Sequence, residues 1–166
     1  MIDFKVKGAI FDVDDTLLGN KPGVPGQGLH ERSRLAAIHT IGKARGISVL
    51  EHFSVEDNLA AFMDAPVHTL EAAVWNVLVM TGIADSQEIN PESPLLREIV
   101  ALKDRLHEDI LLNEAEEVPG ATAFVFALAD CGLKDKLAIA STAIRRDVDL
   151  FLEKNRNDIP LPLKQS

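Results

Sequence analysis

The chain has 166 residues, 46% of them apolar and 26% charged, with a formal net charge of −9 at neutral pH. That length suits one domain of ordinary size, or a small core carrying one insertion. The acidic balance argues against nucleic acid, which demands clustered Lys and Arg, and no apolar run reaches membrane-spanning length. The N-terminal MIDFKVKG puts charges where a signal peptide needs its apolar region, so a cytoplasmic protein is expected. The single cysteine, Cys131, leaves no internal disulfide and is expected to be buried near a helix end.

Lys5 to Val13 reads as a strand, in which Gly8-Ala9-Ile10-Phe11 is a small-and-apolar run typical of a sheet covered on both faces. Three carboxylates follow at once: Asp12, Asp14 and Asp15. The stretch GNKPGVPGQG then lacks the Lys-Ser/Thr of a phosphate-binding loop and reads as a hinge-like connection. Beyond it the apolar period becomes helical. Leu35, Ile38 and Ile41 line one face, and Gly46 is the stop.

A short helix is expected after Ser54, capped by that hydroxyl with Asp57 three residues on. The next runs through HTLEAAVWNVLVMTG, with Leu70, Val74, Val77 and Leu78 at helical spacing and Gly82 as its end. Trp75 belongs to its core, and His68 reads as a surface residue at its start. Ser93-Pro94 opens a long helix striped by Leu95, Ile99, Leu102, Leu106 and Ile110. After Pro119-Gly120 come a helix from Ala121 to Cys131, a buried strand from Lys136 to Ser141, and a helix from Ile144 to Asn155 with Val148, Phe151 and Leu152 inside. Strand, helical insertion, helix, strand, helix is an α/β pattern with a parallel sheet.

The acidic triplet is the chemical clue. Two carboxylates about 4 Å apart repel by roughly 4 kcal/mol at an effective dielectric near 20. Such crowding at a strand end is tolerable if a divalent cation sits there or one carboxyl stays protonated. In parallel α/β sheets ligands bind beyond the carboxyl ends of the strands, and two such ends carry polar side chains here. One offers Asp12, Asp14 and Thr16; the other offers Ser141 and Thr142 before a helix. Asp15 is expected to face solvent. A calcium loop fails, since Leu17 and Gly23 stand where its Gly and Glu belong. The histidines, His30, His39, His52, His68 and His107, show no zinc spacing.

FDVDDTL resembles the first motif of the haloacid dehalogenase-like hydrolases, DxDxT after an apolar strand, and LAIAS resembles their second. The resemblance implies a Rossmann-like α/β core, discontinuous over residues 1–19 and 118–166, with an inserted α-helical cap over 20–117. That arrangement is similar to the branch holding phosphoglycolate phosphatase-like and β-phosphoglucomutase-like enzymes. By the resemblance, Asp12 would be the nucleophile and Asp14 the general acid and then base. The Asp12 side chain and the Asp14 carbonyl would hold Mg²⁺, Thr16 would steady the turn, and Ser141 with the N–H of Thr142 would bind phosphoryl oxygens. Asp14 favours phosphoryl transfer over halide displacement, and the Lys of P-type ATPases is not at that position.

The expected activity is Mg²⁺-dependent phosphatase chemistry on a small phosphorylated metabolite. Alternatives are a phosphomutase, which would give an isomer rather than free phosphate, or a non-catalytic remnant binding a phosphorylated ligand or protein partner. The family's later Lys and acidic motifs have no good match, Lys154 and Lys164 being poor stand-ins. The sequence therefore reads as the front part of such a protein, with an incomplete sheet. Two expectations follow. The isolated chain should self-associate through an open sheet edge along its first strand or be only marginally stable, and on its own it should show little or no phosphatase activity.

Overall fold

The computed structural model describes residues 6–14, 16–19, 27–141, 146, 148–149 and 164–165. It divides into two compact units, Met1–Gly23 with Leu111–Ser166 and Val24–Ile110. Among the described residues no helix is long and apolar enough to cross a membrane.

The first unit holds a small parallel sheet. Strand β1 (Ala9–Phe11) pairs in parallel with β4 (Leu137–Ile139), and β4 with β5 (Lys164–Gln165), giving the order β1-β4-β5. Phe11, Leu137 and Ile139 are buried, and the Phe11 ring meets Phe124 of helix α6 (Ala121–Leu128) edge-on at 6.3 Å. The other face differs from expectation. Ile10 is 74% exposed, because alternation turns it away from Phe11 and, among the described residues, no strand pairs with the outer edge of β1. Cys131 is likewise exposed rather than buried, in a π-turn through Ala129–Leu133 that extends α6.

A second, two-stranded ladder pairs β2 (Leu18–Gly19) antiparallel with β3 (Glu116–Glu117). These strands stand where the chain leaves the first unit and where it returns. Of the expected final helix, Arg146, Val148 and Asp149 are helical and Val148 is buried. Phe151, Leu152 and Lys154 lie outside the described residues.

The second unit is helical: α1 (Leu29–Arg45), α2 (Ser48–Glu51), α3 (Val55–Met63), α4 (Leu70–Met80) and most of α5 (Pro94–Glu114). Local signals set the ends. Gly46 closes α1 in the left-handed region at φ 66°. The Ser54 hydroxyl accepts from the Asp57 N–H and donates to its carboxylate at the start of α3. At α4 the capping side chain is Thr69, which accepts from Ala72 N–H. Ile38, Leu50, Trp75, Leu78, Leu96 and Ile99 belong to one buried cluster, each apolar side chain contributing about 1.5–3 kcal/mol on burial.

Helix α5 buries a different stripe from the one its leucines suggest, whereas α1 buries Ile38 and Ile41 as expected. In α5 the buried positions are Leu96, Ile99, Lys103, His107 and Leu111, while Leu95, Leu102, Leu106 and Ile110 are half-buried flanks. In α1 the buried stripe runs through Ser33, Arg34, Ala37, Ile38, Ile41 and Gly42, with Leu35 beside it.

Gly42 lets α1 and α2 approach closely. A Cβ there would lie 2.7 Å from Leu50 Cβ, 2.9 Å from Glu51 N and 3.0 Å from Leu50 C. Two of these atoms are backbone and cannot swing aside. Although Ala gains about 1 kcal/mol over Gly in a helix, Gly42→Ala should destabilise the protein by a net 1–3 kcal/mol or so, through overpacking. Urea unfolding measures this, and a gain in stability would show that α2 yields.

Candidate functional site

The first candidate residues sit where β1 turns. The carbonyl of Val13 accepts from the N–H groups of Thr16 (3.3 Å), Leu17 (3.0 Å) and Leu18 (2.9 Å), closing a tight turn. Val13, Leu17 and Leu18 are buried beneath it. Sequence produces this shape by interleaving anchors with acids, so that Asp12 and Asp14 flank the buried Val13. Asp12 is exposed and its Oδ1 accepts from the N–H of Val13 at 2.7 Å. Asp14 is half-buried and bridges to Leu18, and Thr16 is exposed.

The second strand end lies alongside. Phe11 is in register with Ile139, and Ala140 N–H donates to the Phe11 carbonyl at 2.9 Å. Asp12 and Ser141 therefore emerge from adjacent strands at the same edge of the sheet, with neighbouring strands about 4.8 Å apart. Ser141 is half-buried. Thr142 and Asp15 lie outside the described residues. Lys164 is a strand residue of β5, paired with Ala138.

Carboxylate and carbonyl oxygens are hard donors. Among the described residues no three His, Cys, Asp or Glu side chains group as a metal site. Mg²⁺ does not require three, because it keeps several waters and takes one or two carboxylates plus substrate phosphate. The Asp12 carboxylate with the Asp14 main-chain carbonyl fits that sparse donor set. It does not fit a zinc cage.

Sequence reasoning missed a polar cluster in the helical unit. Arg34, 3% exposed, donates from Nε to Asn58 Oδ1 at 2.7 Å and from Nη2 to the Asn58 carbonyl at 3.0 Å. Its guanidinium stands 5.2 Å over the Phe62 ring. Burial pushes the Arg34 pKa below its usual value, while the Glu31 charge acts in the opposite sense. His39 bonds the Phe53 carbonyl at 2.7 Å, and His68 lies against Phe62 with ring centroids 5.2 Å apart. The available signal was the spacing Ser33-Arg34-Ala37-Ile38, which aligns a charged residue with the apolar face.

A small parallel sheet with an acidic turn after its first strand, in a chain that is otherwise mostly helical, makes a mixed α/β fold consistent with a haloacid dehalogenase-like one. Among solved structures the chain is similar to a putative phosphoglycolate phosphatase from Lactobacillus delbrueckii subsp. bulgaricus, with a TM-score of 0.60 and 17% sequence identity. The match covers 98% of this chain and 64% of that one, so the chain spans less than two thirds of its neighbour's length. No protein-family model matches the sequence. No curated protein sequence matches it either.

Proposed function

We propose that this chain belongs to a phosphatase that transfers a phosphoryl group from a small phosphorylated metabolite to Asp12 and then to water. The observation that carries the reading is the emergence of Asp12 and Ser141 from paired strands at one sheet edge. An Asp12 oxygen attacks phosphorus and the bond to the leaving oxygen breaks, Asp14 donating a proton to that oxygen. Water then attacks the aspartyl-phosphate, Asp14 takes its proton, and orthophosphate leaves with Asp12 restored. Ser141 and the N–H of Thr142 hold phosphoryl oxygens, and Thr16 holds the turn. Mg²⁺ bound at Asp12 and the Asp14 carbonyl would supply the positive charge that lets a carboxylate approach a phosphate dianion. The helical unit would serve as a cap that sets substrate choice.

The test is phosphate release from aryl phosphates of graded leaving-group quality, with millimolar Mg²⁺. Asp14→Asn should slow poor leaving groups by about 10²–10⁴-fold and good ones far less, since it removes the proton donor. Equal losses across the series would contradict the role given to Asp14.

A further inference from the structure

The sheet of the first unit ends on β1 at one side and on β5 at the other, and the two edges differ in chemistry. Among the described residues β1 pairs with β4 alone. The Phe11 carbonyl accepts from Ala140 N–H, so Phe11 directs its main-chain groups toward β4. Along a strand in a parallel ladder, successive residues direct these groups to opposite sides. The N–H and C=O of Ile10 therefore point to the outer edge. The Ile10 side chain is 74% exposed, and Val6, just before the strand, is 62% exposed. By contrast β5 consists of Lys164 and Gln165, polar residues of the kind that discourage pairing. An apolar edge with outward main-chain groups is a template for another strand.

We propose that the β1 edge is the interface of a two-fold dimer, in which β1 pairs antiparallel with β1 of a second copy of this chain. Charge complementarity selects this occupant and this direction. Lys7 and Asp12, both exposed, stand at opposite ends of the strand. An antiparallel pair sets the basic end of each copy beside the acidic end of the other, at a strand spacing of about 4.8 Å. That is well inside a screening length of about 10 Å. A parallel pair would set Asp12 beside Asp12. A two-fold axis perpendicular to the sheet keeps every side chain on its own face, so opposed residues share a face. With the axis at Ile10, each Ile10 exchanges N–H···O=C bonds with Ile10 of the partner subunit, and the two exposed side chains cover each other. Gly8 then lies opposite Asp12 of the partner subunit and adds no side chain to crowd it. The sheet runs on through both copies in the order β5-β4-β1-β1-β4-β5.

The test is the mass of the full chain in solution, by sedimentation equilibrium from about 1 to 200 μM. Monomer should give way to dimer across that range, and the Ile10 amide should exchange with deuterium more slowly as the dimer forms. Ile10→Lys sets like charges directly opposite each other and should weaken association by about tenfold or more. Its side chain is exposed, so the fold should hold. Lys7→Glu makes both ends of the strand acidic and Asp12→Lys makes both basic, and each should dimerise less well than the wild type. Mixed together, these two variants should form a heterodimer tighter than either homodimer, a reading that does not depend on Ile10. A chain that stays monomeric throughout would overturn the proposal, whether its Ile10 amide exchanges freely or is protected by another segment of the same chain. So would a dimer that folded Ile10→Lys leaves intact, or a mixture that associates no more tightly than its components.

Discussion

In an active polypeptide that carries this chain, Asp12→Asn is expected to lower phosphate release by about 10³-fold or more, because it removes the group proposed to bond to phosphorus. An amide oxygen is a poor nucleophile and carries no charge for Mg²⁺. The fold should be indifferent, since Asp12 is exposed and the turn is held by main-chain bonds to the Val13 carbonyl and by the buried Leu17 and Leu18. The thermal transition should therefore stay within about 2 °C of wild type, as surface substitutions usually cost less than 0.5 kcal/mol. Turnover at the wild-type rate would remove Asp12 from the chemistry.

The largest stability effect is expected at Arg34→Leu. The guanidinium supplies two hydrogen bonds to Asn58, which is fully buried and whose own Nδ2 donates to the Glu31 carbonyl at 3.0 Å. Leucine leaves Asn58 Oδ1 in the interior without that donor and also loses the contact over Phe62. Hydrogen bonds to a charged group contribute about 1.5–3 kcal/mol each, and two of them are lost. The loss should be about 3–5 kcal/mol, seen as a fall in Tm of roughly 10 °C. Arg34→Leu combined with Asn58→Leu should recover part of it, because no orphaned amide then remains. Thermal unfolding of the three proteins decides the matter, and an additive double variant would show that the pair is not coupled.

The same residues show what could be read beforehand. Capping chemistry is local, so Ser54 with Asp57, Ser93-Pro94 and Gly46 marked helix ends within a residue or so. The apolar run Ala9–Phe11 and its partner Leu137–Ile139 marked the strands, and hence the edge where Asp12 and Ser141 emerge. The buried face of α5 was less legible, as were the polar residues that α1 carries inside. Counting leucines put the α5 stripe through Leu95, Leu102 and Leu106, one position away from the residues that are buried. Arg34, Lys103 and His107 are interior because partners on other helices accept them, and those partners lie 24 residues away for Asn58 and 73 for His30. Two-residue strands such as β2 and β3 have no periodicity to read. Their pairing is set by the return of the chain after the helical unit.

In the proposed mechanism phosphorus becomes bonded to Asp12. Acid quenching during turnover of p-nitrophenyl phosphate with Mg²⁺, followed by peptide mass spectrometry, tests it most directly, because an acyl phosphate survives acid. A phosphoryl adduct is expected on the peptide FDVDDTL, localised to Asp12 and absent from Asp12→Asn. Phosphate release that proceeds with no adduct, or with the adduct on Asp14, would contradict it.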